Sequence, residues 1–379
     1  MRILFAAPVW WPSHAFGGPV TAGRELVRRL VVRGHDVDVL TSTIVDVHEP
    51  PVPPRVEAVD GATVHYLATP LRYRWMGITP GLPFALARLP RPDLAHIFGF
   101  RDPVTTGTAA WCRLRGIPYV FEPLGMFEPR VRKLRLKHVL DATLYRGVAG
   151  GAKLIVAVSE RERDDLVAGG VEPAKIRVRG NGFPAPRRDT PQTGTVPFSY
   201  KPVVLYVGRI AAGKGLEHLA ATAKALRDAH VVIVGPDDRH GADRLLDGDR
   251  IHVLPPTREP PFDLYRAADV LVLPSSGESF GMAAAEAASV GTPVVVTDRC
   301  GVASSFRDGE ALVVPYNRDA IVAAIERVLA DADLRAQLSR GGIEAAKRSS
   351  WDRVTDAQEA IYREAASRTA ATKFSTDGS

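Results

Sequence analysis

Short apolar runs alternate with helical patterns along the first half of the chain. Ile3 to Ala7 precedes an amphipathic stretch from Val20 to Arg33, which leads to Val37 to Leu40. Leu94 to Phe98 is followed by a helical pattern near Val104 to Arg115 and then by Tyr119 to Phe121. Lys153 to Val158 precedes a helix that Ser159 can cap, with Glu162 three residues on. Runs this short, apolar throughout and separated by helices, predict parallel strands buried on both faces. The pattern stops between Phe183 and Pro202, where five prolines and no periodicity mark a linker. It then restarts with Val203 to Val207, a helix from about Gly215, and strands at Val231 to Val234, Val270 to Leu273 and Val294 to Thr297. From Ala320 the chain reads as helix, and the stretch after Trp351 is expected to cross back onto the first domain. The sequence therefore predicts an α/β protein of two Rossmann-like domains: residues 1–183 with 352–379 returning to them, a linker at 184–201, and residues 202–351.

A chain of 379 residues can bury two cores. Its two cysteines, Cys112 and Cys300, stand far apart without CxxC spacing or a histidine cluster, which argues against a disulfide framework or structural zinc and fits a reducing compartment. The opening MRILFAAPVWW resembles a signal peptide, but its apolar run is brief and leads through Pro12 into a helix, as a buried first strand would. No run approaches the roughly 20 apolar residues needed to cross a bilayer. The net charge of +6 suits anionic ligands. Zinc-finger spacing, RNA-binding aromatics and a basic tail are all missing, so nucleic acid is not the expected partner.

Three segments carry candidate chemistry. In YVGRIAAGKGLEHL, residues 206–219, a strand runs into a small-residue loop bearing Arg209 and Lys214 before a helix begins. A helix N-terminus with two cations favours a diphosphate. The spacing nearly matches a P-loop, but Gly215 stands where Ser or Thr would hold magnesium. A basic turn capping an ordinary helix is the other reading. In PSSGESFGMAAAEAASVGTPVV, residues 274–295, Glu278 precedes an Ala-rich helix and Glu286 lies within it. The amides from Ser279 through Phe280 and Gly281 to Met282 are donors for a phosphate or sugar hydroxyl, and a buried Glu286 needs a partner. An exposed Glu pair is the alternative. In the amino-terminal loop, Gly17 and Gly18 open the helix after the first strand without the G-x-G-x-x-G dinucleotide fingerprint.

Taken in order across some 330 residues, these segments resemble the retaining glycosyltransferases of family 4 and their GT-B architecture. Gly17-Gly18, GHDVDVL, PDLAHIFGF, IRVRGNGF, GRIAAGKGLEHL, the E-x7-E segment and Trp351 carry the resemblance. It implies two domains facing a central cleft and a nucleoside-diphosphate sugar as donor, with UDP favoured over GDP. Arg209 and Lys214 would hold the diphosphate, with an amide from Gly18. Glu286 would meet the ribose and Glu278 the transferred sugar, completed by Ser279, Phe280, Gly281 and Met282. Glu278, Arg209 and Lys214 are thereby the catalytic candidates. Many members carry a histidine where this chain, reading EPLGMFEP, has Leu124. His14, His96, Glu122 and Glu128 are candidates for sugar or acceptor contact in its stead, although a lone strand-end His96 is more often a packed one.

The segment 129–140, PRVRKLRLKHVL, holds Arg130, Arg132, Lys133, Arg135 and Lys137, and could dock peripherally on the inner face of a membrane or wall an anionic acceptor. No D-x-D motif stands on a loop; the match at Asp36 and Asp38 lies inside a strand pattern. The expected activity is metal-independent retaining transfer to an acceptor hydroxyl by a cytoplasmic enzyme without a resident cofactor. A GT-B-like sugar-nucleotide epimerase and a catalytically silent partner subunit are the alternatives.

Overall fold

The computed structural model describes residues 1–13, 17–46, 49–73, 76–127, 146–184, 198–237, 248–257 and 259–374, with backbone alone at 146 and over 368–374. The chain forms two compact units, Met1–Arg179 with Val354–Ser379, and Gly180–Arg353.

The first unit runs β1 (Arg2–Ala6), α1 (Gly18–Val32), β2 (Asp36–Ser42), β3 (Arg55–Val59), β4 (Ala62–Leu67), β5 (Leu71–Tyr73), β6 (Met76–Ile78), α2 (Leu82–Arg88), β7 (Leu94–Phe98), α3 (Pro103–Leu114), β8 (Tyr119–Glu122), α4 (Arg146–Gly151), β9 (Leu154–Ala157), α5 (Glu160–Ala168) and β10 (Ile176–Val178). Its large sheet has the order β10-β9-β8-β7-β1-β2-β4-β3. All pairings are parallel except that of the edge strand β3 with β4. Central β7, β8 and β9 are buried at every position, whereas β4 beside the edge alternates. Burial on both faces is what makes the central strands apolar runs.

The second unit runs β11 (Val203–Val207), α6 (Leu216–Ala225), β12 (His230–Val234), β13 (Ile251–Leu254), α7 (Phe262–Ala267), β14 (Val270–Leu273), α8 (Met282–Ser289), β15 (Val294–Thr297), β16 (Leu312–Val314), α9 (Arg318–Ala330) and α10 (Ala332–Arg348). Its parallel sheet has the order β13-β12-β11-β14-β15-β16. The order reverses between β11 and β14, so the loops following these two strands flank the switch point where doubly wound sheets bind ligands.

The last helix, α11 (Trp351–Phe374), begins in the second unit and continues into the first. Within the first unit its Glu359 meets Arg33 and His35, and Glu364 pairs with Arg177. Phe183, assigned by the sequence to the first domain, packs in the second: its ring lies 5.5 Å from Phe306 and 6.3 Å from Phe280, and its amide donates to Ser349. Burying that aromatic decides where the chain changes units.

Candidate active site

The loop after β11 turns through Gly208 to Gly215 into α6. Gly215 caps the helix at φ 77°, and a Cβ there would overlap the Pro274 carbonyl oxygen, so only glycine lets this loop meet the one after β14. Ser276 joins them further, its amide and hydroxyl both donating to the Gly213 carbonyl at 2.9 and 3.0 Å. The buried Tyr206 donates its hydroxyl to the Arg209 carbonyl at 3.0 Å and fixes where that residue leaves the strand.

These contacts bring Lys214 and Glu278 together. Their side chains form an ion pair, 19% and 25% exposed. The sequence assigned one to a diphosphate and the other to a sugar; the fold sets the two side chains in contact. Arg209 is exposed and has no carboxylate partner among the described residues. Two cations thus stand on one loop, one held by a carboxylate and the other open to an anion.

Glu278 is itself held from a third loop. Its amide donates to the Arg299 carbonyl at 3.1 Å, and its carbonyl accepts from Gly301 at 3.0 Å. The Phe280 carbonyl accepts from Val302 at 2.7 Å. Gly281 then opens α8 at φ 113°, with Leu273 only 2.7 Å from where a side chain would begin. Among the described residues the amides of Phe280, Gly281 and Met282 have no acceptor, leaving the positive end of α8 able to receive a phosphate or hydroxyl oxygen. Phe280 contributes backbone; its ring is buried against Phe183.

Glu286 sits on α8, buried, and accepts a hydrogen bond from Tyr265 Oη at 2.6 Å. Burial pushes its carboxyl up to about 7 against the opposing hydrogen bond. Tyr265, on α7, is anchored in turn where Thr292 donates to its carbonyl at 2.7 Å. The sequence offered no local sign of this partner, 21 residues upstream.

In the first unit, Gly17 is exposed and caps α1 at φ 64°, and Gly18 begins that helix. His14 and Glu128 lie outside the described residues. Glu122 is corrected by the structure, and His96 takes its packed reading rather than a substrate contact, because both are wholly buried. His96 Nδ1 is 2.7 Å from Tyr362 Oη on α11, and Nε2 is 3.1 Å from Glu122 Oε2 but misaligned for a hydrogen bond. Arg179 holds both Glu122 oxygens at 2.9 and 3.1 Å and donates to Gln358 at 2.6 Å. Burial raises the Glu122 carboxyl, but the Arg179 charge and the neighbouring His96 together outweigh it and hold it below its usual range, while burial pushes His96 down. This network fastens α11 to the sheet and offers no surface to a substrate.

Leu124 follows β8 at φ 57°, a left-handed conformation costly for leucine. The turn is over-determined by its supports. Glu162 accepts from the Gly125 amide and from Val158 at 2.8 Å, and Arg101 donates to the Met126 and Phe127 carbonyls. Ser159 caps α5 as expected, and the Glu162 carboxylate braces these two loops.

Comparison with known proteins bears on the family and the fold. Residues 17–182 match the glycosyl transferase 4-like domain, and residues 193–345 match the glycosyl transferases group 1 family. A D-inositol 3-phosphate glycosyltransferase from Salinispora tropica is 30% identical, over 93% of this chain and 82% of its own length. Sucrose-phosphate synthase from Thermosynechococcus elongatus shares the fold with a TM-score of 0.73 at 22% identity, over 96% of this chain and 98% of that one. So does Anabaena HepE in complex with UDP-glucose, with a TM-score of 0.72 at 17% identity over 98% and 100% of the two chains. With two Rossmann-like units, cations beside the second unit's switch point and relatives named for glycosyl transfer, the epimerase and silent-subunit alternatives give way: the chain belongs to the family-4 glycosyltransferases of GT-B fold and moves a sugar from a nucleotide-sugar donor to an acceptor.

Proposed function

We propose that the donor is a uridine diphosphate sugar, held by Arg209, Lys214, Glu278, Glu286 and the amides opening α8. The observation that carries this reading is the Lys214–Glu278 pair at the switch point of the second sheet. Arg209 and Lys214 neutralise the charge that grows on the leaving diphosphate, the role metals fill elsewhere, and the amides of α8 add fixed dipoles. Glu278 orients Lys214 and accepts hydroxyl hydrogens of the transferred sugar. The Glu286 carboxylate accepts from the ribose while Tyr265 holds its other side. The acceptor oxygen attacks the anomeric carbon from the side the diphosphate leaves. The diphosphate takes the acceptor's proton, so configuration is retained without a histidine at Leu124.

The name of the Salinispora tropica relative suggests the acceptor class, a phosphorylated cyclic polyol such as D-inositol 3-phosphate. The net charge of +6 suits an acceptor bearing phosphate. The basic segment 129–140 lies outside the described residues; its charge is compatible with an anionic acceptor or a membrane surface. Among the described residues no helix is long and apolar enough to cross a membrane.

The test is nucleoside diphosphate release from uridine and guanosine diphosphate sugars, with and without D-inositol 3-phosphate and with excess EDTA. Release of uridine diphosphate that needs the polyol phosphate and persists in EDTA supports the reading. Release only from guanosine donors, or abolition by EDTA, contradicts it.

A further inference from the structure

Three non-glycine residues among those described have left-handed backbone: Asp60, Arg101 and Leu124, at φ 49°, 61° and 57°. The first is explained by its turn, since Asp60-Gly61 is the two-residue loop joining antiparallel β3 and β4, where such backbone is favoured. Arg101 and Leu124 close no hairpin. They follow β7 and β8, neighbouring parallel strands of the central sheet. Strain of this kind lasts only where the surroundings over-determine it, and it gathers at working sites.

The strand order of the first sheet reverses between β1 and β7, so the loops after these two strands flank its switch point. The loop after β8 joins them at Gly99, where a Cβ would stand 3.0 Å from Pro8 and 3.5 Å from Met126. Across that junction Arg101 donates through one guanidinium to the Met126 and Phe127 carbonyls. Its neighbour Asp102 caps α3, accepting from the Val104 amide at 2.7 Å. From the other side Glu162, on α5, accepts from the amide of Gly125 and from that of Val158. Glu162 is 3% exposed and has no cation beside it among the described residues. Burial pushes its carboxyl up to about 7 despite both amides, and the Glu122 and Asp165 carboxylates add to the rise. A carboxylate buried without a counter-charge is costly, and both oxygens of this one go to holding two loops. Leu124, Gly125 and Met126 stay half-buried, so the turn keeps a surface of its own.

We propose that Glu162 and Arg101 are positioning residues for sugar transfer: they hold the Leu124 turn where the first unit meets the acceptor, beside its switch point. The proposal rests on the donor assignment above, which lies in the second unit and leaves this switch point to the acceptor. Each side chain acts through the turn.

The test compares kcat/KM for D-inositol 3-phosphate with uridine diphosphate affinity, on variants that circular dichroism shows folded at the assay temperature. Glu162→Gln keeps the size of the side chain but turns an N–H toward one of the two amides. It is expected to lose about tenfold or more in kcat/KM while uridine diphosphate affinity stays within about twofold. Leu124→His takes left-handed backbone at less cost, so in the Glu162→Gln background it should recover several-fold of that loss, judged against Leu124→His alone. A brace needed only for folding would show neither the split between acceptor and donor nor the recovery. If Glu162→Gln does not fold, Arg101→Lys, a point charge in place of a fork, carries the same expectations. Wild-type turnover in the folded variant overturns the proposal, as does a loss that Leu124→His leaves untouched. If the wild type transfers nothing to D-inositol 3-phosphate, that failure belongs to the acceptor reading alone. The same variants are then compared in donor hydrolysis, with water as acceptor. There an unchanged rate overturns the positioning role, and a loss of the same size at equal nucleotide affinity upholds it.

Discussion

The two units each hold a carboxylate against a cation, with opposite outcomes. In the first, Glu122 and Arg179 are sealed at 0% and 1% side-chain exposure and every strong partner is protein. In the second, Lys214 and Glu278 remain partly exposed beside an exposed Arg209 and the α8 amides. The same chemistry fastens the fold in one place and, in the function proposed, meets a ligand in the other. Burial decides between them, because a sealed pair must satisfy itself, while a half-open pair can exchange a partner for a substrate.

The largest effect should come from breaking the sealed pair. Arg179→Met leaves Glu122 buried without its cation and should cost about 3–5 kcal/mol, seen as a melting-temperature loss on the order of 10 °C. Adding Glu122→Gln should recover much of it. Glu122 ionises below its usual value, so its stabilisation is complete above the ordinary carboxylate range and is lost as pH falls through the lowered value. His96 acts in the same direction, since its lowered value favours the neutral ring and acid must charge it.

Opening the half-exposed pair should leave stability nearly unchanged and move ligand affinity. Arg209→Ala and Lys214→Ala should each weaken uridine diphosphate by roughly 1.5–3 kcal/mol in titration calorimetry. Lys214→Ala should be the worse, because it leaves Glu278 facing the phosphates, and Lys214→Ala/Glu278→Gln should regain part of the loss. Simple additivity of that pair would show that the contact does not couple them.

Glu286 lies between the two cases, buried yet assigned to the ribose. With its carboxyl near 7, ionisation rises from about one-tenth at pH 6 to about nine-tenths at pH 8. Uridine diphosphate affinity should therefore rise several-fold over that interval, and Glu286→Gln should flatten the rise. Stability runs the other way: the raised value favours the protonated fold, an advantage full below the ordinary carboxylate value and lost as pH climbs through 7. Glu286→Gln should melt above the wild type at pH 8 and with it at pH 5.

The smallest effect is expected at Leu124. Histidine tolerates left-handed backbone better than leucine does, so Leu124→His should fold normally and change turnover by less than about threefold. A gain of about 100-fold or more would mark a missing acid–base group.

The sequence revealed the parts of this arrangement that are local. Central strands showed as apolar runs because they are buried on both faces, and the loops at Gly213–Gly215 and Gly281 showed through glycines beside charges. The strands from β3 to β6 escaped it: β3 and β4, at and beside the sheet edge, alternate and so form no apolar run, and β5 and β6 are three residues each outside the main sheet. Pairings across long separations escaped as well. Lys214 meets Glu278 across 64 positions and His96 meets Tyr362 across 266. Nothing in the spacing of Glu122 or His96 distinguished a sealed network from a substrate contact; only the helix α11 folding over them does.

The central claim is that Glu278 serves the transferred sugar while its partner Lys214 serves the diphosphate. It is tested most directly in Glu278→Gln by measuring uridine diphosphate affinity and donor turnover on the same preparation. The account predicts affinity equal to or tighter than wild type, since Lys214 is released toward the phosphates, with turnover reduced by about 100-fold or more. Weakened nucleotide binding with turnover intact would contradict it.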